Sequence, residues 1–216
     1  MRITKIETQK ENPSRRNLYA DGKFLLGVSA ETLLRFGIRT GDEIGEEKLR
    51  ALHAAEELQS AKAVALRLLA RRPRTEKEVR DKLREKEFAD AEIIATIEHL
   101  RTLGFLNDEE FARTYIAHQL AMRPKGKLAL RQHLLMLGIK KETVDAVLGE
   151  VLPEAKQEDA ALKAAQAFLR RTSRSRDDPQ KSRQKLAAFL NRRGFTWDII
   201  APTVKTVLGE KASEDE

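Results

Sequence analysis

The chain has 216 residues, of which 35% are charged and only 5% aromatic, and it carries a formal net charge of +7 without a single cysteine. The lack of cysteine excludes disulfides, cysteine nucleophiles and cysteine-based zinc sites, and it fits a reducing compartment. No stretch approaches the roughly 20 apolar residues that span a bilayer, and the N-terminus lacks the apolar core of a signal peptide. We expect a cytoplasmic protein without a membrane partner, whose positive charge attracts polyanions.

Residues 1–50 differ in pattern from the rest of the chain. Asp21 and Gly22 lie between two apolar runs, which is a strong signal for a two-residue β-hairpin because both turn positions need a positive φ. A short helix is predicted from Ser29 to a stop at Gly37. This segment therefore predicts a small β-rich cap of two or three strands and one helix.

Three copies of one apolar pattern follow the cap. The matching positions are Val79, Leu83, Phe88, Ile93, Ile97 and Leu100, then Leu130, Leu134, Ile139, Val144, Leu148 and Val151, then Leu186, Leu190, Phe195, Ile200, Val204 and Val207. The copies are displaced by 51 residues (139 minus 88) and then 56 residues (195 minus 139). The spacing is helical, and it predicts repeats over 51–104, 105–153 and 154–209, followed by a disordered acidic tail at 210–216.

Each copy reads as helix A, a basic loop, helix B and helix C. Helix B ends at Gly138 and Gly194, which suit the left-handed conformation that closes a helix. Glu87 holds this place in the first copy and should cost up to about 1 kcal/mol if the same conformation is used there. Capping boxes are predicted at Thr75 with Glu78 and at Asn107 with Glu110. The pattern predicts a mainly α, elongated protein of tandem three-helix repeats, because a single unit has a thin core.

The positive charge is concentrated near helix B in every copy. Residues 168–195 alone contain nine Lys or Arg against two Asp, a net +7. We expect the clusters to form a discontinuous basic track that binds a long polyanion. For any one cluster, the alternative is that its cations are solvated loop residues without a ligand. The candidate contacts are Arg71, Arg72, Arg74, Arg123, Lys125, Lys127, Arg131, Arg170, Arg171, Arg174, Lys181, Arg183, Arg192 and Arg193.

Other kinds of site have weaker support. Helices B and C resemble a helix-turn-helix, but the carboxylates on helix C would repel DNA phosphates in a groove. The acidic run Asp108–Glu110 is explained by the dipole of a helix N-terminus rather than by a metal. Five aromatic residues, Phe88, Phe105, Phe111, Phe195 and Trp197, could stack on nucleic-acid bases, although their helical register favours core packing. No phosphate loop, nucleophile elbow or metal-ligand spacing indicates an enzyme or a cofactor.

Two segments of the sequence resemble the RecX family of bacterial RecA regulators. They are RRPRTEKEVRDKLREKEF, with its Arg-Pro-Arg, and IIATIEHLRTLGFLNDEEFARTYI; the later RPKGKLALRQHLLMLGI is also similar. The resemblance implies tandem three-helix repeats forming an elongated, curved body. It further implies that the protein lies along the groove of the RecA–single-stranded-DNA filament and inhibits ATP hydrolysis, strand exchange and coprotease activity.

We therefore expect a non-enzymatic, monomeric regulator without a cofactor, whose partners are the RecA filament and single- and double-stranded DNA. The alternative is a general nucleic-acid-binding repeat protein without a dedicated protein partner. A third reading, an enzyme with an unrecognised site, would need a convergent polar pocket.

Overall fold

The computed structural model describes residues 1–172 and 179–209, which contain three strands and ten helices. The strands are β1 Ile3–Thr8, β2 Arg15–Ala20 and β3 Lys23–Ser29. The helices are α1 Ala30–Phe36, α2 Glu46–Leu69, α3 Glu76–Arg84, α4 Asp90–Thr102, α5 Asp108–Met122, α6 Lys127–Met136, α7 Lys141–Val151, α8 Glu154–Thr172, α9 Pro179–Arg192 and α10 Trp197–Val207. The predicted mainly α protein with a small β-rich N-terminal cap is confirmed.

The N-terminal strands form one antiparallel sheet in the order β1-β2-β3. The predicted hairpin joins β2 to β3, with Asp21 at φ 48° and Gly22 at φ 79°. At the start of α1 the Ser29 side chain accepts a hydrogen bond from the backbone N–H of Thr32, and Gly37 ends the helix at φ 60°. The residues at these positions therefore determine both the β2–β3 turn and the two ends of α1.

The long helix α2 contributes to two cores. Leu52 packs beneath the sheet, whereas Ala61 and Ala65 lie about 2.5 and 3.6 turns further on, against α3 and α4. Glu56, buried between these regions, accepts a hydrogen bond from the backbone N–H of Ser29 at 2.8 Å and pairs with the Arg15 guanidinium at 2.7 Å. A buried carboxylate needs such partners, so this pair ties β2 and the end of β3 to α2.

Helices α2 to α10 form three groups of three helices. By contacts the chain divides into two compact units, one of Met1–Arg74 with Val79–Leu106 and one of Thr75–Glu78 with the chain from Asn107 onward. The first unit has a core of α2, α3 and α4, and the second has separate cores in α5–α7 and α8–α10, both contacted by Leu120. The apolar residues of the repeat pattern fill these cores, as predicted, with only Phe88, Val151 and Val207 less than fully buried.

The turn between the second and third helix of each repeat is left-handed in all three copies. Gly138 and Gly194 have φ values of 83° and 82°, and Glu87 has a φ of 64°. Thr75 and Glu78 form the predicted reciprocal capping box, with both backbone-to-side-chain hydrogen bonds at 3.2 Å. Asn107 caps α5 by accepting from the backbone N–H groups of Glu109 and Glu110.

Candidate polyanion-binding surface

Two basic segments of the second unit are joined by backbone hydrogen bonds. The Gly126 N–H donates to the Arg193 carbonyl at 2.9 Å, and the Leu128 N–H donates to the Gly194 carbonyl at 3.1 Å. The Arg193 guanidinium in turn donates to the Pro124 carbonyl at 2.9 Å. The loop before α6 is therefore held against the turn before α10, so that cations from successive repeats meet at a fixed place.

Three arginines form what we call the arginine cluster: Arg123, Arg171 and Arg193. They come from the end of α5, the last turn of α8 and the α9–α10 turn. The pKa of Arg193 is lowered by partial burial and then by the positive charges of Arg171 and Arg123. The Arg193 guanidinium also lies 4.8 Å from the centre of the Phe189 ring, which orients it. Such a concentration of like charge is relieved when an anion binds.

Lys125 lies beside a stacked aromatic group. The Tyr115 and His133 rings stack with their centres 5.0 Å apart. The pKa of His133 is lowered by burial and then by the charge of Lys125, which favours the neutral imidazole. The sequence predicted Lys125 as a contact, but it did not predict the stacked rings beside it.

Arg131 is occupied by an acidic partner. Its Nε and Nη2 atoms donate to the two carboxylate oxygens of Asp145 at 2.6 and 3.2 Å, joining α6 to α7. The pKa of Asp145 is lowered by the hydrogen bond from Arg131 and also by the charges of Lys141 and Lys127. A polyanion would compete with Asp145 for Arg131, whereas Lys127 adds to the positive field without such a bidentate bond.

The first unit carries its own basic loop between α2 and α3. Arg71 and Arg72 are exposed, and Arg74 is half-buried. The Arg72 side chain donates to the Pro73 carbonyl at 3.0 Å and the Arg74 side chain to the Leu68 carbonyl at 3.3 Å. These bonds hold the two guanidinium groups close to the loop backbone.

The remaining predicted contacts belong to the third repeat. Arg170 lies in the last turn of α8, Lys181 and Arg183 lie on α9, and Arg192 is the last residue of α9; all four are exposed. Arg174 and the predicted acidic tail at 210–216 lie outside the described residues. The role of each of these cations remains a prediction.

The prediction that the aromatic residues pack in the core was wrong for Phe105 and Trp197. Phe195 is buried, and Phe88 and Phe111 are half-buried, but Phe105 is 55% and Trp197 68% exposed. The repeat contained the missing signal, because Asp90 and Lys141 hold the place of Trp197 in the first two copies. A position with charged residues in two copies faces solvent.

Two other kinds of site, a metal centre and a membrane-spanning helix, are absent from residues 1–172 and 179–209. In this part of the chain no group of three His, Cys, Asp or Glu side chains could hold a metal ion. Within the same residues, no helix is both long and apolar enough to cross a bilayer. In the acidic first turn of α5, Glu109 pairs with Arg113 at 2.9 Å and Asp108 accepts from the backbone N–H of Glu76 at 2.9 Å.

Family profiles match four consecutive parts of the chain. The regulatory protein RecX N-terminal domain matches residues 1–45, and the first, second and third three-helix domains of RecX match residues 61–100, 107–148 and 156–202. Among curated proteins, the regulatory protein RecX of Clostridium beijerinckii is 34% identical over 207 residues, covering 96% of each chain. The regulatory protein RecX of Bacillus subtilis is 30% identical over 214 residues, covering 99% of this chain and 80% of its own.

Two solved structures resemble this fold. A crystal structure of regulatory protein RecX superposes with a TM-score of 0.74 at 28% identity, covering 97% of this chain and 99% of that one. The crystal structure of RecX from Lactobacillus salivarius gives a TM-score of 0.64 at 25% identity, covering 71% of this chain and 97% of its own. With its N-terminal cap and all three three-helix domains matched in order, the chain belongs to the RecX family of regulatory proteins.

Proposed function

We propose that this protein is a non-enzymatic regulator of the RecA recombinase. It binds along the groove of the RecA–single-stranded-DNA filament and suppresses ATP hydrolysis, strand exchange and coprotease activity. The protein acts as a monomer in the cytoplasm, and its basic edge contacts DNA phosphates or acidic filament surface. Membership in a family of regulatory proteins supports a regulatory role.

The observation that carries the proposal is the arginine cluster. Arg123, Arg171 and Arg193 come from two successive repeats. Backbone bonds from Gly126 and Leu128 fix the segments that hold Arg123 and Arg193. A charged group distributed over repeats suits a partner with many regularly spaced anionic sites. Several weak contacts to such a partner add through effective concentration.

The proposal is tested by comparing binding to two forms of the same DNA. The protein is titrated onto labelled single-stranded DNA, bare or coated with RecA in the presence of a non-hydrolysable ATP analogue. A dedicated filament regulator binds the coated DNA more tightly at physiological salt. Equal or weaker binding to the coated DNA would contradict the proposal.

The alternative, a general nucleic-acid-binding repeat protein, is favoured by the same cations. Its signature is a steep salt dependence on bare single-stranded DNA, with a log–log slope of about −0.7 for each neutralised phosphate. A slope near zero would count against direct phosphate contact and would leave the protein surface of the filament as the partner.

A further inference from the structure

A groove between α9 and α10 in the third repeat combines apolar walls, an exposed aromatic ring and two cations. Its walls include Ile200 and Val204, with Trp197, 68% exposed, at the start of α10. Arg183 and Lys205 line the same groove. Trp197 and Lys205 are eight residues apart on one helix, which is about 12 Å along its axis. The groove therefore offers a flat π-surface and positive charge within the span of a short oligomer.

The groove is open because the third repeat lacks an ion pair that the second repeat has. Adding the displacement of 56 residues places Ala187 and Ala201 at the positions of Arg131 and Asp145. In the second repeat those two side chains bridge α6 and α7 at 2.6 Å. In the third repeat the equivalent alanines line the groove, so the two methyl groups leave room where a salt bridge would lie.

The aromatic ring and one of the cations are also particular to the third repeat. Trp197 takes the place of Asp90 in the first repeat and of Lys141 in the second, and Lys205 takes the place of Glu98. Burial in the repeat core does not account for Trp197, because most of its side chain is exposed. The combination therefore points to a ligand that has both a flat ring and negative charge.

We infer that this groove binds single-stranded nucleic acid, with one base stacked on Trp197 and neighbouring phosphates held by Arg183 and Lys205. Every base has a π-face, so such stacking tolerates any sequence, and the two cations neutralise the adjacent backbone. A duplex keeps its bases stacked internally and cannot use the ring. The inference rests on the proposed function, because it assigns a binding site for the single-stranded DNA that the proposal names as a partner. Its test uses no RecA, so the groove inference and the proposed RecA regulation can each fail without the other.

The test uses the protein's own fluorescence, because Trp197 is its only tryptophan. The full chain is titrated with a single-stranded oligothymidylate and with an abasic oligomer that has the same number of phosphates. We expect the oligothymidylate to quench Trp197 in step with binding measured by anisotropy of a labelled strand. We expect the abasic oligomer to bind more weakly and to leave the emission unchanged.

Variants separate stacking from charge. Trp197→Ala should weaken oligothymidylate binding about 5- to 150-fold, the range for loss of one stacked base, and leave abasic binding unchanged; Trp197→Phe should restore part of it. Lys205→Gln should weaken binding to both oligomers. Phe105→Ala, which removes another exposed aromatic residue, is the control and should change neither.

A charge-neutral variant tests the groove itself. Changing Ala187→Arg and Ala201→Asp together gives the third repeat the ion pair of the second, with no change in net charge. We expect this variant to keep its helicity, to bind the abasic oligomer as before and to lose the Trp197 quenching.

Three results would overturn the inference: oligothymidylate binding without quenching, equal quenching by the abasic oligomer, or equal loss of both ligands in Trp197→Ala. Displacement of the oligothymidylate by a leucine-containing acidic peptide at lower concentration would also overturn it, in favour of a protein ligand.

Discussion

Gly194 lies so close to Ala129 that a methyl group on its α-carbon would overlap the backbone and side chain of Ala129. The same relationship recurs between Gly138 and Lys77, and next to it the Thr75 hydroxyl donates to the Leu137 carbonyl at 2.8 Å. Each glycine thus meets two requirements, a left-handed turn and a close approach by the first turn of another helix. These turns are contact points in the second unit as well as helix ends.

Gly194→Ala should strongly destabilise the second unit. Left-handed strain in the alanine variant lowers the free energy of unfolding by about 1–2 kcal/mol. The overlap with Ala129 lowers it by about 1–3 kcal/mol more. Gly104→Ala is the matched control, since Gly104 has a φ of 73° but nothing within 4 Å of an added methyl group. Urea unfolding should show a much larger loss for Gly194→Ala; equal losses would mean that the close approach contributes nothing.

Glu87→Gly should stabilise the first unit. Glu87 is exposed at a φ of 64°, so glycine relieves left-handed strain of about 1–2 kcal/mol, less about 0.4–1 kcal/mol for the extra freedom of the unfolded chain. We expect a net gain of about 0.5–1 kcal/mol in the free energy of unfolding. Glu87→Ala keeps the strain and should change little. A gain in the alanine variant equal to that in the glycine variant would assign the effect to the lost charge.

Replacing Arg123, Lys125 and Lys127 together by alanine should weaken polyanion binding. Circular dichroism should show unchanged helicity, because the bonds from Gly126 and Leu128 to the α9–α10 turn use the backbone. The log–log salt slope on single-stranded DNA should become shallower by up to about 2, or about 0.7 for each lost phosphate contact.

The control for this variant removes the same charge elsewhere. Lys23, Lys48 and Arg50 are exposed in the first unit, and their joint replacement by alanine lowers the net charge by the same three units. If both triple variants bind DNA equally weakly, total charge matters and the position of the cations does not.

Asp145→Asn should strengthen polyanion binding. Asp145 holds the Arg131 guanidinium by two hydrogen bonds, so the amide frees Arg131 for phosphate and removes one negative charge near Lys127. Glu142→Gln, on the same helix, is the charge-matched control. Affinity on single-stranded DNA at fixed salt should rise more for Asp145→Asn; an equal rise in both variants would mean that Arg131 makes no phosphate contact.

Sequence patterns predicted much of the fold because its determinants are local. Asp21 and Gly22 form the hairpin turn, and Thr75 with Glu78 caps α3, both as predicted. Glu87 adopts the same left-handed conformation as Gly138 and Gly194. The core positions followed from the spacing of the repeat, since one helical face must be buried.

The features that were missed depend on the packing of neighbouring helices. Arg131 was predicted as a phosphate contact, but whether Asp145 comes within bonding distance depends on how α6 crosses α7. Periodicity placed Trp197 on a helix and could not say which side of α10 the other helices cover. The meeting of Arg123 with Arg193 required the bonds between the two repeats, which no local pattern encodes.

The most direct test of the proposed function is ATP hydrolysis by RecA on single-stranded DNA, titrated with this protein. We predict inhibition at well below one molecule per RecA subunit, with the Arg123, Lys125 and Lys127 variant requiring more protein. Inhibition only when the protein saturates the DNA, or no inhibition at any ratio, would contradict a filament-directed regulator and favour a general nucleic-acid-binding protein.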